Sequence, residues 1–455
     1  MTLYRGRIDA GANALMDALN KSLPVDIRLL PFDVQTNRAW STALQNIGVF
    51  TAEECAAVHR ELDAILARYE AGEFDALPDD EDVHTLVERL LTEALGDTGA
   101  RIHTGRSRND QVACDLYLYL RSELSLLQGH VQNLVRILRS LAQAHIDTLM
   151  AGTTHVQPAQ PITLGHYLLS LAFALTRDCD RITDCHRRAD RCPLGAGAIA
   201  GSGFPVDRVA IARALGFSRP TENSVDTISH RDAAQEAAFA AATLLTHLSR
   251  YAEDFITWSN PAFGYVRWDA SWSTGSSMMP QKRNPDAMEL VRAKASRAMG
   301  NVVTLLAMTK GVPLTYAKDL QEDKAALFDA LDTAVLTVQV FAEALSSAAF
   351  VPERMQAVLT ADMLATELAD ALALKGVPFR TAHERCARFV TLLEEEQRDL
   401  LSTTESDVAR FFPELADEGV VLSYDGAVAR RQIFGGTSAT SIKEQLRLLD
   451  AWLAQ

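Results

Sequence analysis

The chain has little cysteine. Six are scattered through 455 residues, and no two form a CxxC pair. Neither a disulfide framework nor a zinc ribbon is written there, and a reducing compartment, the cytoplasm, is expected. Basic excess is also missing. The 44 Lys and Arg face 59 Asp and Glu, for a net charge of -15, which argues against nucleic acid as a partner. The stretch Met1 to Gly11 lacks an apolar core, so no secretory signal is expected. Apolar runs such as Leu168 to Leu175 are too short to span a bilayer, so no membrane is expected as partner. There is no internal repeat and no low-complexity linker. Hydrophobic residues make up 48% of the chain, enough for a large core.

The apolar residues recur at helical spacing. Leu126, Leu127, Val131, Leu134, Leu138 and Leu141 form one buried stripe. Arg231 to Trp258 contains no Gly or Pro and predicts a second long helix. A third is expected from Pro285 to about Thr309, and a fourth from Glu322 to Phe350. Helices this long need long partners, so an all-α bundle is expected. The region before Arg108 and the region after Val358 are more broken. The latter is interrupted at Gly376-Val377-Pro378 and at Gly435-Gly436.

The most informative stretch is Gly275-Ser276-Ser277-Met278-Met279-Pro280-Gln281-Lys282-Arg283-Asn284-Pro285-Asp286. It is a hinged polar loop with two hydroxyls and a lysine. It runs into a helix for which Asn284 reads as N-cap and Pro285 as the first helical residue. A helix start of this kind binds anions, and an ordinary capping loop is the plain alternative.

Four further blocks accompany it: His103-Thr104-Gly105-Arg106-Ser107-Arg108-Asn109-Asp110-Gln111-Val112, Thr154-His155-Val156-Gln157-Pro158-Ala159-Gln160-Pro161, Tyr316 through Lys324, and Lys375 through Arg380. With them the chain resembles the argininosuccinate lyase branch of the fumarase/aspartase superfamily, from Gly6-Arg7 to Gly435-Gly436-Thr437. The resemblance implies an all-α, three-part layout: a small helical domain over 1–107, a central long-helix bundle over 108–358 and a small helical domain over 359–455. It also implies a homotetramer in which three subunits share each active site. The implied reaction is reversible elimination of argininosuccinate to arginine and fumarate, with no cofactor and no metal.

Such an elimination removes a proton from the carbon beside a carboxylate. It therefore needs a base, a cationic cradle and an acid for the leaving nitrogen. By resemblance Ser276 is the base, with Ser277 its rival. Lys282 and Asn284 would hold the substrate carboxylate. His155, paired with Glu289, would orient substrate or protonate the leaving group. Ser107, Arg108, Asn109 and Thr154 would grip carboxylates. Tyr316, Gln321 and Lys324 would hold the amino-acid end, joined by Ser22. His84 reads equally as a substrate contact or as a surface histidine beside acids. Arg101, Arg106, Arg108, Lys282 and Arg283 are expected to focus positive charge in an acidic protein.

Some features point elsewhere. Gly195, Gly197 and Gly201 imitate a dinucleotide loop, but no strand leads into them. Cys179, Cys185, His186 and Cys192 match no zinc spacing; the three cysteines read as partly buried, reduced thiols, and His166 as a packed helix histidine. The branch usually carries a Gly-Ser pair and, three residues after that serine, a histidine. Here Thr36-Asn37 and Trp40 stand in their places, a departure expected to bear on the amino-acid pocket. A sister lyase acting on another N-succinyl amine and a non-catalytic, crystallin-like structural protein remain the alternatives.

Overall fold

Helix dominates this chain because long stretches free of Gly and Pro carry an apolar face every three or four residues. The computed structural model describes residues 13–73, 76–416, 418, 420 and 422–454. The Met1 to Gly11 stretch and Gly6-Arg7 lie outside them. Five long helices run over Arg108–Ala144, Leu164–Ala189, Asp232–Ser259, Asp286–Thr309 and Asp323–Ser346. Among the described residues, sheet is confined to two antiparallel pairs, Leu149–Thr154 with Gln157–Thr163 and Val266–Arg267 with Ala349–Phe350.

Two expected boundaries are corrected. The fourth helix stops at Ser346, not Phe350. There the hydroxyls of Ser346 and Ser347 donate to the carbonyl of Glu343 and compete with the helical ladder. Ala349 and Phe350 then pair as strand. The third helix begins at Asp286, and the Pro285 carbonyl accepts from the Glu289 N–H at 3.1 Å. Pro285 therefore holds the cap position expected for Asn284.

The described residues divide into two compact units. One holds those up to Gly129, with Asp180–Leu244 and Ala295–Leu336. The other holds His130–Cys179, Leu245–Lys294 and the described residues from Thr337 on. The division falls inside each of the five long helices.

In the first unit, the helices Leu30–Asn46, Ala52–Glu70 and Val83–Leu95 bury Leu30, Trp40, Leu44, Val58, Leu62, Leu86 and Leu91. Thr51 and Glu54 exchange hydrogen bonds in a capping box that fixes the start of the second of these helices. In the second unit, Phe255 packs edge-on against Trp258 at 5.3 Å and Trp268 at 5.9 Å, with Phe341 at 5.9 Å. A separate cluster of Leu364, Leu368, Leu372, Phe389, Leu393 and Phe412 fills the C-terminal part.

One segment departs from the expectation that no run is long enough to span a bilayer. Lys318–Ser346 is long and apolar enough by length and composition, because the interior of that helix carries few charges. Most of its apolar window, 61%, is buried inside the protein, as in a core helix. All six cysteines are buried and none forms a disulfide.

Candidate active site

The expected site residues fall into two groups, one in each unit. In the first unit, Ser22, His84, Arg108, Asn109, Tyr316, Gln321 and Lys324 line one cavity of about 200 Å³. Small-molecule pockets usually exceed ~300 Å³, so this volume suits one end of a ligand. The cavity is built from turns and helix starts. Ser22 is placed by its N–H, which donates to the Glu81 carbonyl, and its hydroxyl donates to Asp26 at 2.6 Å. Gln321 is tied through its amide to the Asn20 carbonyl. Arg108 opens the longest helix and is held by Gln111 at 2.7 Å and Glu88 at 3.0 Å. Ser107 lies beside the cavity lining, and its hydroxyl accepts from the Asn109 N–H.

Tyr316 follows Thr315, whose φ of +74° is rare for a β-branched residue. The Thr315 N–H donates to the Ser229 hydroxyl at 2.6 Å, which fixes that turn. Burial pushes the Tyr316 phenol up to about 12, so it stays a neutral donor. Lys324 is 4% exposed and donates to Asp323 at 2.9 Å. Sequence reasoning did not single out Asp26 or Lys318 as lining residues. Lys318 lies inside a quoted block, which was the available signal. It pairs with Glu81, another lining residue, at 2.8 Å.

His84 is not a surface histidine: it is 1% exposed. Its Nδ1 lies 3.0 Å from Asp33 and 3.1 Å from Asp115. Burial alone would strip its proton. Hydrogen bonds to Asp115 and Asp33 outweigh that and raise it to about 10. The three residues also bring metal-ligand atoms within 4.8 Å of one another, and those hydrogen bonds already account for the closeness. Thr36 donates to Asp115 and Asn37 to Asp33, while Trp40 Nε1 donates to the Thr104 carbonyl. All three are buried in the core and none lines the cavity; Thr36 and Asn37 reach it only through Asp115 and Asp33, which hold the lining residue His84. Of the three arginines expected to focus charge here, only Arg108 lines the cavity; Arg101 pairs with Glu54 and Arg106 is buried.

The glycine run that imitates a phosphate loop has an internal purpose. Gly195 and Gly197, both at positive φ, donate their N–H groups to one oxygen of buried Asp110 at 2.9 and 2.8 Å. The other oxygen accepts from the Ser107 N–H. A side chain of the protein occupies the anion nest.

In the second unit, the signature loop carries the half-buried Ser276 between the exposed Gly275 and Ser277. The Ser276 oxygen accepts from the N–H groups of Met278 at 3.2 Å and Met279 at 3.0 Å. Asn284 does not cap the helix. Its N–H donates to the Thr274 carbonyl at 2.8 Å, and its side-chain amide donates to Thr274 and Gly275. Asp286 accepts from both the N–H and the hydroxyl of Thr274. Lys282 and Glu289 are exposed. Thr154 and His155 sit at the tip of the Leu149–Thr163 hairpin, with His155 and Val156 at φ of +53° and +62°. Two consecutive positive φ values make a tight hairpin turn. His155 and Glu289 form no hydrogen bond or ion pair with each other among the described residues. His166 is half-buried in the Leu164–Ala189 helix, as expected of a packed histidine.

The scaffold is all-α; one unit carries a serine hydroxyl held by two backbone N–H groups, and the other carries a polar cavity lined by both acidic and basic side chains. Residues 6–300 match the family described as Lyase, and residues 362–429 match the Argininosuccinate lyase C-terminal family. The argininosuccinate lyase of Thiobacillus denitrificans is 44% identical, with 97% of this chain and 96% of that protein covered. That of Nitratidesulfovibrio vulgaris is 41% identical, over 100% and 99%. Among solved structures, an EDDS lyase in complex with formate superposes with a TM-score of 0.82 at 28% identity, over 98% of this chain and 91% of that one. A class II fumarase from Schistosoma mansoni, 17% identical, shares the fold with a TM-score of 0.75, over 90% of this chain and 96% of that one. The chain belongs to the argininosuccinate lyase family and is a lyase.

Proposed function

We propose that the protein splits argininosuccinate reversibly into arginine and fumarate. The observation that carries this reading is likeness to argininosuccinate lyases over nearly the whole chain, with the signature loop intact. Ser276, as alkoxide, takes the proton from the carbon beside the carboxylate. The electron pair forms the double bond of fumarate as the C–N bond breaks. The leaving guanidino nitrogen gains a proton, with His155 as donor or orienter and Glu289 as its partner carboxylate. A serine is a poor base until its anion is stabilised, and the two backbone N–H groups on Ser276 favour the anionic form. Lys282, Asn284 and Ser277 hold the reacting carboxylate. Ser22, Ser107, Arg108, Asn109, Thr154, Tyr316, Gln321 and Lys324 hold the rest. No cofactor or metal takes part in this scheme.

The working form is a homotetramer with sites shared between subunits, and the chain divides as 1–107, 108–358 and 359–455. Exposed Met299, Val303 and Leu306 support assembly: they recur at helical spacing on one helix and need a cover. The expected place of action is the cytoplasm.

Purified protein given argininosuccinate should release fumarate, read by ultraviolet absorbance, and arginine, read by chromatography. A folded oligomer that releases neither contradicts the reading. It would favour another amine partner or a structural role.

A further inference from the structure

We propose that Arg231 is a positioning residue that leaves Lys324 with spare positive charge for a ligand carboxylate. The inference rests on the proposed role of Lys324 at the amino-acid end of the substrate. Arg231, Asp323 and Lys324 are 4%, 0% and 4% exposed. Asp323 lies between the two cations, accepting from Lys324 Nζ at 2.9 Å and from Arg231 Nε at 2.5 Å. Lys324 lines the cavity; Arg231 does not. Burial would raise the Asp323 carboxyl, but the two cations outweigh it and hold it in its anionic form.

The arithmetic of charge gives Arg231 its importance. Two cations and one carboxylate leave a net charge of +1 in a buried trio. Lys324 and Asp323 alone would be neutral, and the Lys324 side of the cavity would lose its pull on a carboxylate. With Arg231 sharing Asp323, Lys324 gives that carboxylate one of its three N–H groups, and the others stay available. Arg231 is itself fixed, because its Nη1 donates to the His230 carbonyl at 2.8 Å. The neighbouring Ser229 hydroxyl holds Thr315 ahead of Tyr316. One short segment, Ser229 to Arg231, thus sets both Tyr316 and Lys324.

The test compares Arg231→Met, Arg231→Lys, Lys324→Met and the Arg231→Met/Lys324→Met double variant in the full-length protein. Two quantities are read: L-arginine binding by calorimetry and steady-state turnover of argininosuccinate. Arg231→Met should weaken arginine binding and raise KM at least tenfold, with kcat within about threefold. Arg231→Lys, which keeps the charge, should stay within about threefold in binding. In the Lys324→Met background the Arg231→Met change should add less than twofold. Additive losses, or a tenfold loss in Arg231→Lys, overturn the proposal. If Arg231→Met does not fold, Arg231→Lys still decides it. A wild-type protein that neither binds arginine nor releases fumarate overturns the functional reading as well, whereas intact wild-type turnover with additive variants overturns only the role of Arg231.

Discussion

Asn284 and Thr274 close the signature loop: the Asn284 N–H donates to the Thr274 carbonyl at 2.8 Å, and Gly275 to Arg283 lie between. Asp286 tightens the same closure by accepting twice from Thr274, at 3.0 and 2.6 Å. Ser276, the proposed base, therefore sits in a loop pinned at its ends by Thr274, Asn284 and Asp286.

Asp286→Ala should loosen this closure. The expected outcome is at least a tenfold fall in turnover with unchanged helix content. Amide hydrogen exchange should rise across 275–283 and stay unchanged elsewhere. Equal exchange in both proteins would separate Asp286 from the loop.

The nest around Asp110 predicts a contrast between two glycines. A Cβ on Gly197, at φ +65°, would lie 2.7 Å from the Gly201 carbonyl oxygen. A Cβ on Gly201, at φ +86°, meets nothing within 4 Å. Gly201→Ala should cost only backbone strain, about 1 kcal/mol, while Gly197→Ala adds a backbone clash and should cost about 2–3 kcal/mol or more. Thermal melting of the two variants checks the order. Equal melting temperatures would contradict it.

The buried His84 gives stability a signature in alkali. Its folded value, about 10, lies above the ordinary 6.5. Its contribution is therefore complete below pH 6.5 and is lost as pH rises through 10. The Asp115 carboxyl, pushed up to about 7 by burial and by Asp33, has finished titrating by pH 8. Between pH 8 and 10 the melting temperature of the wild type should fall faster than that of His84→Asn. Parallel slopes would show that His84 is not held as the cation.

The helices were largely legible in the sequence because periodic apolar residues are a local signal. Asp232–Ser259 falls within one residue of its expected bounds. The misplaced end at Ser346 and the shifted cap at Pro285 depend on single side chains whose hydrogen bonds periodicity does not encode. The blocks Tyr316 to Lys324 and Arg108-Asn109 were visible as blocks, and they meet at one cavity. The Arg231–Asp323 pair was not legible: Asp323 falls inside the Tyr316 to Lys324 block, but its partner lies 92 residues away and nothing in the sequence points from one to the other. The fate of Gly195 and Gly197 was equally hidden, because a glycine nest for phosphate and one for an aspartate have the same sequence. Thr36, Asn37 and Trp40 depart from the family pattern, and their burial behind His84 is a tertiary fact that the sequence does not carry.

The assembly has its own prediction. Val303→Glu places a charge on the exposed Met299, Val303 and Leu306 face. It should shift the mass seen by light scattering from tetramer to smaller species while helix content stays constant. A tetramer that tolerates the change would move the interface elsewhere.

The most direct test of the central claim is fumarate release from argininosuccinate by the wild type and by Ser276→Ala at equal protein concentration. The account predicts robust release by the wild type and a loss of at least a thousandfold in the variant, with its assembly and melting temperature preserved. A Ser276→Ala protein that still turns over would contradict the assignment of Ser276 as the base.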